Sequence, residues 1–215
     1  MVFDLDGTLV DTVALRVAAW VAAFAEFGMQ VEPQALRLLI GADGHLVARA
    51  GTQMAGRDID DALADRLDHR SGEQFNRLNA TPRPLPGARE LLLELARAGI
   101  PHAIATASRA GQVLASVGAL GLPSRPMIVD GSHVRHAKPA PDLLLLAARR
   151  LGAAPDACWY VGDSVWDMQA ARAAGMTAAG VLTGFATAND LREAGADFAA
   201  QRLVDLQRRI IDAPA

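Results

Sequence analysis

An alternation restricts this chain more than any other feature: short apolar runs rich in strand-forming residues, each tied to a helical pattern. The runs lie at residues 2–5, 103–106, 127–129, 159–161 and 177–182, and helical periodicity fills 88–98, 112–120, 141–151, 165–174 and 203–211. Strands separated by helices are joined by crossovers, so they pair in parallel and carry helices on both faces. The expected fold class is therefore α/β, an open parallel sheet. Such a sheet binds ligands outside the carboxyl ends of its strands, near the point where strand order reverses.

Residues 13–82 break the alternation. They read as helices only, at 13–27, from Pro33, at 46–54 and at 60–78, with no strand-like run among them. The proline-rich string Thr81-Pro82-Arg83-Pro84-Leu85-Pro86-Gly87 closes the stretch as a stiff hinge. This is the pattern of an all-helical cap domain (residues 13–82) inserted into a core domain (residues 1–12 and 83–215). A chain of 215 residues has room for both.

Composition excludes several functions. The net charge of −3 supplies no positive field for nucleic acid or anionic lipid. No apolar run is long enough to span a bilayer, and no leader precedes the first motif. The single cysteine, Cys158, cannot form an internal disulfide and reads as a buried thiol. These features predict a soluble, cytoplasmic protein; they do not indicate an oligomeric state. Only three residues precede Asp4, so either the first strand is short or the true start lies upstream of Met1.

Chemistry concentrates where the strands end. In Asp4-Leu5-Asp6-Gly7-Thr8-Leu9-Val10-Asp11-Thr12 two carboxylates stand one residue apart on an extended segment, so both project to the same side. Like charges crowded together call for a cation, and a hard ion such as Mg2+ suits oxygen ligands. After the second strand, Thr106 and Ser108 offer hydroxyls at a helix start, suited to phosphate oxygens; Ser108 could equally serve as the helix N-cap. Lys138 is the only lysine among 21 basic residues, and it lies in the stiff segment Lys138-Pro139-Ala140-Pro141-Asp142. A compact ammonium held this way is suited to an anion. Asp163, in Gly162-Asp163-Ser164-Val165-Trp166-Asp167, faces the same crevice as Asp4; Asp167 supports it, through a metal-bound water or through the helix N-terminus.

In their order and spacing these four stretches resemble the motifs of the haloacid dehalogenase-like hydrolase superfamily. Within it the chain is similar to the phosphoglycolate phosphatase-like group with an α-helical cap. The resemblance implies a Rossmann-like core, Mg2+, a small phosphorylated metabolite as partner and an aspartyl-phosphate intermediate. It makes Asp4 the nucleophile and Asp6 the acid and base, with a pKa above that of an ordinary aspartate. It makes Asp4, Asp163 and the carbonyl of Asp6 the metal ligands, and gives the phosphate to Thr106 and Lys138. The implied function is a Mg2+-dependent phosphatase acting on a small phosphomonoester, phosphoglycolate-like or sugar phosphate.

Asp6 argues against the metal-free dehalogenase branch, and a cap without lysine excludes Schiff-base chemistry. A sugar phosphomutase and a non-catalytic phosphate-sensing protein are the alternatives. Substrate choice is expected to rest with the cap turn Ile40-Gly41-Ala42-Asp43-Gly44-His45, where Gly41, His45 and Arg49 are candidate contacts. His69 and Arg70 read as surface groups. Trp166 either lines the mouth or packs beneath its helix.

Overall fold

The computed structural model describes residues 1–211. Its sheet has six strands: β1 (Val2–Phe3), β2 (Ala103–Ala105), β3 (Met127–Val129), β4 (Trp159–Gly162), β5 (Thr177–Val181) and β6 (Phe198–Ala200). They lie in the order β3-β2-β1-β4-β5-β6, with every neighbouring pair parallel. Between β1 and β2 come α1 (Val13–Glu26), α2 (Pro33–Leu36), α3 (Gly44–Met54), α4 (Asp61–Leu78) and α5 (Ala88–Arg97). One helix then follows each strand: α6 (Ala110–Ala119), α7 (Asp142–Leu151), α8 (Val165–Ala174), α9 (Ala188–Glu193) and α10 (Leu203–Ile211).

Alternation along each strand divides the core in two. Val2, Ala103 and Tyr160 face α7 and α8, where Leu143, Leu144, Ala147 and Met168 cover them. Phe3, Ile104 and Val161 face the other way, onto Leu91, Leu95, Val113 and Leu206. Both sides of the sheet are buried, as a parallel sheet requires. A third cluster, with Val17, Trp20, Phe24, Val47 and Leu67, holds α1, α3 and α4 together. Among the described residues no helix is long and apolar enough to cross a membrane.

Two elements, β6 and α9, go beyond the sequence reading. Phe198–Ala200 is a three-residue, half-buried edge strand whose ladder comes from β5 alone. Two alanines carry little strand preference, so pairing rather than local sequence creates it. For α9 the sequence did hold a signal. Thr187 and Asp190 form a capping box, each side chain serving the other's backbone.

The first strand is shorter than residues 2–5. After Asp4, whose N–H bonds Val161 O at 2.8 Å, the carbonyl of Leu5 takes the amides of Leu9 and Val10. The chain thus turns back at once through Gly7, at φ 83°. That conformation is costly for any residue with a Cβ. A Cβ there would also lie 2.4 Å from Asp163 Oδ2.

Candidate active site

Strand order reverses between β1 and β4, and the acidic groups gather at that switch point. Asp4 leaves the end of β1 and is 2 % exposed. The Lys138 ammonium stands 2.9 Å from Asp4 Oδ1 and 2.6 Å from Asp167 Oδ1. Apart from that ammonium, Asp4 Oδ1 is a buried oxygen with no donor. Burial opposes the charge on Lys138, yet Asp167 and Asp4 outweigh it and hold the ammonium protonated.

Asp167 is fully engaged. Its Oδ1 also accepts from the Tyr160 hydroxyl at 3.0 Å, and its Oδ2 from the Ser164 amide and hydroxyl in a capping box at the start of α8. Its position supports Lys138 and leaves neither oxygen without a donor.

Asp163 follows β4 and takes a hydrogen bond from Thr8 Oγ1 at 2.9 Å. Carboxylate oxygens of Asp4, Asp163 and Asp167 lie within 4.8 Å of one another. Burial pushes Asp4 up to about 7; Lys138 pulls it back, while Asp167 and Asp6 add to the rise. Asp163 is raised well above its ordinary value, by burial first and then by its acidic neighbours. Such a set suits a hard divalent cation: the oxygens are close, one on Asp4 meets no donor but Lys138, and one ammonium does not offset three carboxylates. With Asp167 committed to other donors, Asp4 and Asp163 are the side chains that fit it.

Asp6 differs from the sequence expectation in two ways. Its carboxylate is not part of that acidic group, and its pKa is lowered rather than raised. Burial does push it up, but Arg16, Ser108 and Thr12 together outweigh burial. Arg16 Nη2 lies 2.9 Å from Asp6 Oδ2, Ser108 Oγ donates to the same oxygen at 2.5 Å, and Thr12 Oγ1 donates to Oδ1 at 2.6 Å. Ser108 is not a helix cap, because Arg109 occupies the N-cap of α6 and Ser132 Oγ accepts the Ala110 amide.

Arg16 was missed by motif reading. On α1 it falls among Val13, Val17 and Trp20 on the apolar face, three residues after one and one before the next. A charge on an apolar stripe was the available signal. Its guanidinium carbon sits 3.3 Å from the Phe75 ring centroid of α4, and Nη1 donates to Gln112 Oε1 at 2.7 Å.

A cavity of about 50 Å3 lies over these groups, lined by Asp4, Asp6, Thr106 and Lys138 and, from the helical segment between β1 and β2, by Arg16, Trp20 and Val47. Gly41, at φ 98°, lies on its wall, where a Cβ would stand 2.6 Å from Ser164 Oγ. His45 and Arg49 do not line it. His45 belongs to the first turn of α3 and pairs with Asp65 at 2.8 Å, and Arg49 pairs with Asp61, both on the exposed side of the cap. The helix begins at Gly44, two residues earlier than expected. Trp166 packs beneath the cap and donates to Leu38 O at 2.7 Å. Arg70 pairs with Glu26 and Glu73, and Cys158 is buried.

Similarity to known proteins gives the family. A family model described as haloacid dehalogenase-like hydrolase matches residues 1–181. Fructose-1-phosphate phosphatase YqaB of Escherichia coli (strain K12) is 32% identical over 182 residues, covering 84% of this chain and 95% of the relative. Hexitol phosphatase A of the same organism is 35% identical over 175 residues, covering 80% and 78%. The crystal structure of a hydrolase from Pseudomonas syringae superposes with a TM-score of 0.93 at 34% identity, covering 100% of this chain and 98% of that one. The chain belongs to the haloacid dehalogenase-like hydrolases and is an enzyme of their phosphoric monoester hydrolase kind.

Proposed function

We propose that this enzyme is a Mg2+-dependent phosphatase that hydrolyses a small, sugar-phosphate-like monoester through Asp4. One observation carries the reading: Asp4 Oδ1 is a buried oxygen at the cavity floor that meets a fixed ammonium and no other donor. A nucleophile needs a lone pair that no other donor takes.

Asp4 forms a bond to phosphorus as the ester oxygen leaves, and Asp6 delivers a proton to that oxygen. Water then attacks the aspartyl phosphate, Asp6 takes its proton, and Asp4 is released with inorganic phosphate. Lys138 and Thr106 hold the non-bridging oxygens, and Asp167 keeps Lys138 charged and in place. Arg16 holds Asp6 as a carboxylate, the form the second half needs. For the first half Asp6 takes up a proton as the ester enters, while Arg16 stays bound to Ser108 and Gln112. Asp4, Asp163 and the Asp6 carbonyl would hold Mg2+, which when bound offsets the charge of carboxylates and phosphate.

The phosphomutase alternative finds no supporting group in the cap. Ile40 stands beside Gly41 on the cavity wall, and the cap contributes no lysine. The test is phosphate release over a panel of phosphorylated metabolites with Mg2+, comparing wild type with Asp4→Asn. Turnover should fall by roughly three orders of magnitude or more in the variant. Unchanged release would refute the assignment, and binding without release by the wild type would favour a phosphate-sensing protein.

A further inference from the structure

The cavity has a second built feature, on the side away from the acidic floor. Gln112 rises from α6 of the core to meet Gly72 in the middle of cap helix α4. A mid-helix glycine costs about 1 kcal/mol relative to alanine. Here it makes room: a Cβ at Gly72 would lie 2.3 Å from Gln112 Nε2. Gly44 does the same for Asp68, whose Oδ1 would lie 1.9 Å from an added Cβ. Both polar heads line the cavity.

The chemistry of Arg16 fixes which way the amide points. A guanidinium has donors only, so the Gln112 atom 2.7 Å from Nη1 must be the carbonyl oxygen. The NH2 group is therefore turned away from Arg16, and its two donors have no hydrogen-bond partner among the described residues. Arg16 itself is committed to Asp6, Ser108 and Gln112, with its face on Phe75. Asp68 is committed to Arg109 at 2.9 Å. The wall thus offers neutral donors, with no uncommitted cation for a second anionic group.

Building on the phosphatase reading, we propose that Gln112 is a specificity-determining residue. Its Arg16-oriented carboxamide donates to a hydroxyl on the leaving group, which selects phosphomonoesters of uncharged, hydroxylated alcohols over carboxylated or plain alkyl ones. Leaving an amide donor unpaired against an alkyl group penalises the wrong ester, while a carboxylate meets Asp68 and a cation already taken.

The test compares kcat/KM for glycerol 3-phosphate, propyl phosphate and phosphoglycolate in wild type, Gln112→Leu and Gly72→Ala, with Mg2+. Wild type should prefer glycerol 3-phosphate to both others. Gln112→Leu should reduce the glycerol-to-propyl ratio about tenfold, the worth of one hydrogen bond between neutral groups. Gly72→Ala, which displaces the amide while favouring its helix, should move the ratio the same way and covers the case in which the leucine variant fails to fold. An equal loss on both esters, or a wild type that does not discriminate, overturns the role of Gln112 and leaves the phosphatase reading standing. Absence of turnover on every ester overturns both.

Discussion

At the scale of single residues, the site is held together by imbalance. Four aspartates build it, yet only Asp6 and Asp167 have their charge fully answered by protein donors. Asp4 and Asp163 carry raised pKa values because burial and neighbouring carboxylates outweigh Lys138 and Thr8. The sign of the linkage follows. In the folded protein Asp4 holds its proton to about 7, whereas the ordinary value is 3.8, so between those values the folded state binds more protons. That stability is complete below the lower value and lost as pH rises through the upper one. A divalent cation competes with those protons. Its stabilisation should therefore be small near pH 5 and should grow toward pH 7.5, each kcal/mol raising Tm by about 2–4 °C in a chain this size. Thermal melts with Mg2+ and with EDTA at the two pH values test this. A cation effect that is equal at both would show that these carboxylates do not bind the ion.

At the scale of elements, the parts of the site that sequence reveals are those fixed by strand ends. Asp4, Thr106 and Asp163 each follow an apolar run, so their common position comes from the parallel sheet and needs no knowledge of packing. Lys138 was legible for a different reason: it is the only lysine, set between structured segments. Arg16 and Gln112 were not legible, because they meet only where α1 and α4 pack near α6, and Tyr160 was not, because its partners come from β2 and α8. The same docking reversed the expected shift of Asp6: enclosure was anticipated, the guanidinium was not. The pairing of His45 with Asp65 and Arg49 with Asp61 depends on how α3 packs on α4, which local sequence does not mark. Gly41 tests how closely the cap turn must approach α8. Its φ of 98° and the 2.6 Å gap to Ser164 Oγ mean that Gly41→Ala both strains the turn and props it off the core. The backbone strain alone costs about 1–3 kcal/mol. We expect a Tm lowered by a few degrees and kcat/KM lowered more than tenfold, read by melts and steady-state kinetics. Full activity would show that the turn need not touch α8.

At the scale of the whole molecule, cap and core are latched shut. The cavity of about 50 Å3 beside Asp4 is tight for a sugar phosphate, so we expect the helical segment to shift against the sheet as one enters. The latch is built on the segment that carries Lys138. The Asp43 amide donates to Lys138 O at 2.8 Å, and Asp43 Oδ2 accepts the Ala137 amide at 3.1 Å. Its Oδ1 meanwhile caps α3 through the His45 amide at 2.9 Å. One carboxylate therefore starts a cap helix and grips the catalytic lysine's own loop, so closure and the placement of Lys138 are a single event. Substitution can separate the two duties. Asparagine is as good an N-cap as aspartate, but it has only one acceptor oxygen, and its amide nitrogen would face the Ala137 N–H. Asp43→Asn should leave Tm within a degree or two while lowering kcat/KM severalfold, because the closed state loses a bond that the open state never had. Asp43→Ala should lose the cap as well, about 1 kcal/mol, and with it a few degrees of Tm. If the asparagine variant turns over like wild type, the grip on the lysine loop contributes nothing to closure, and the cap is held by Arg16 and the Arg109–Asp68 pair instead.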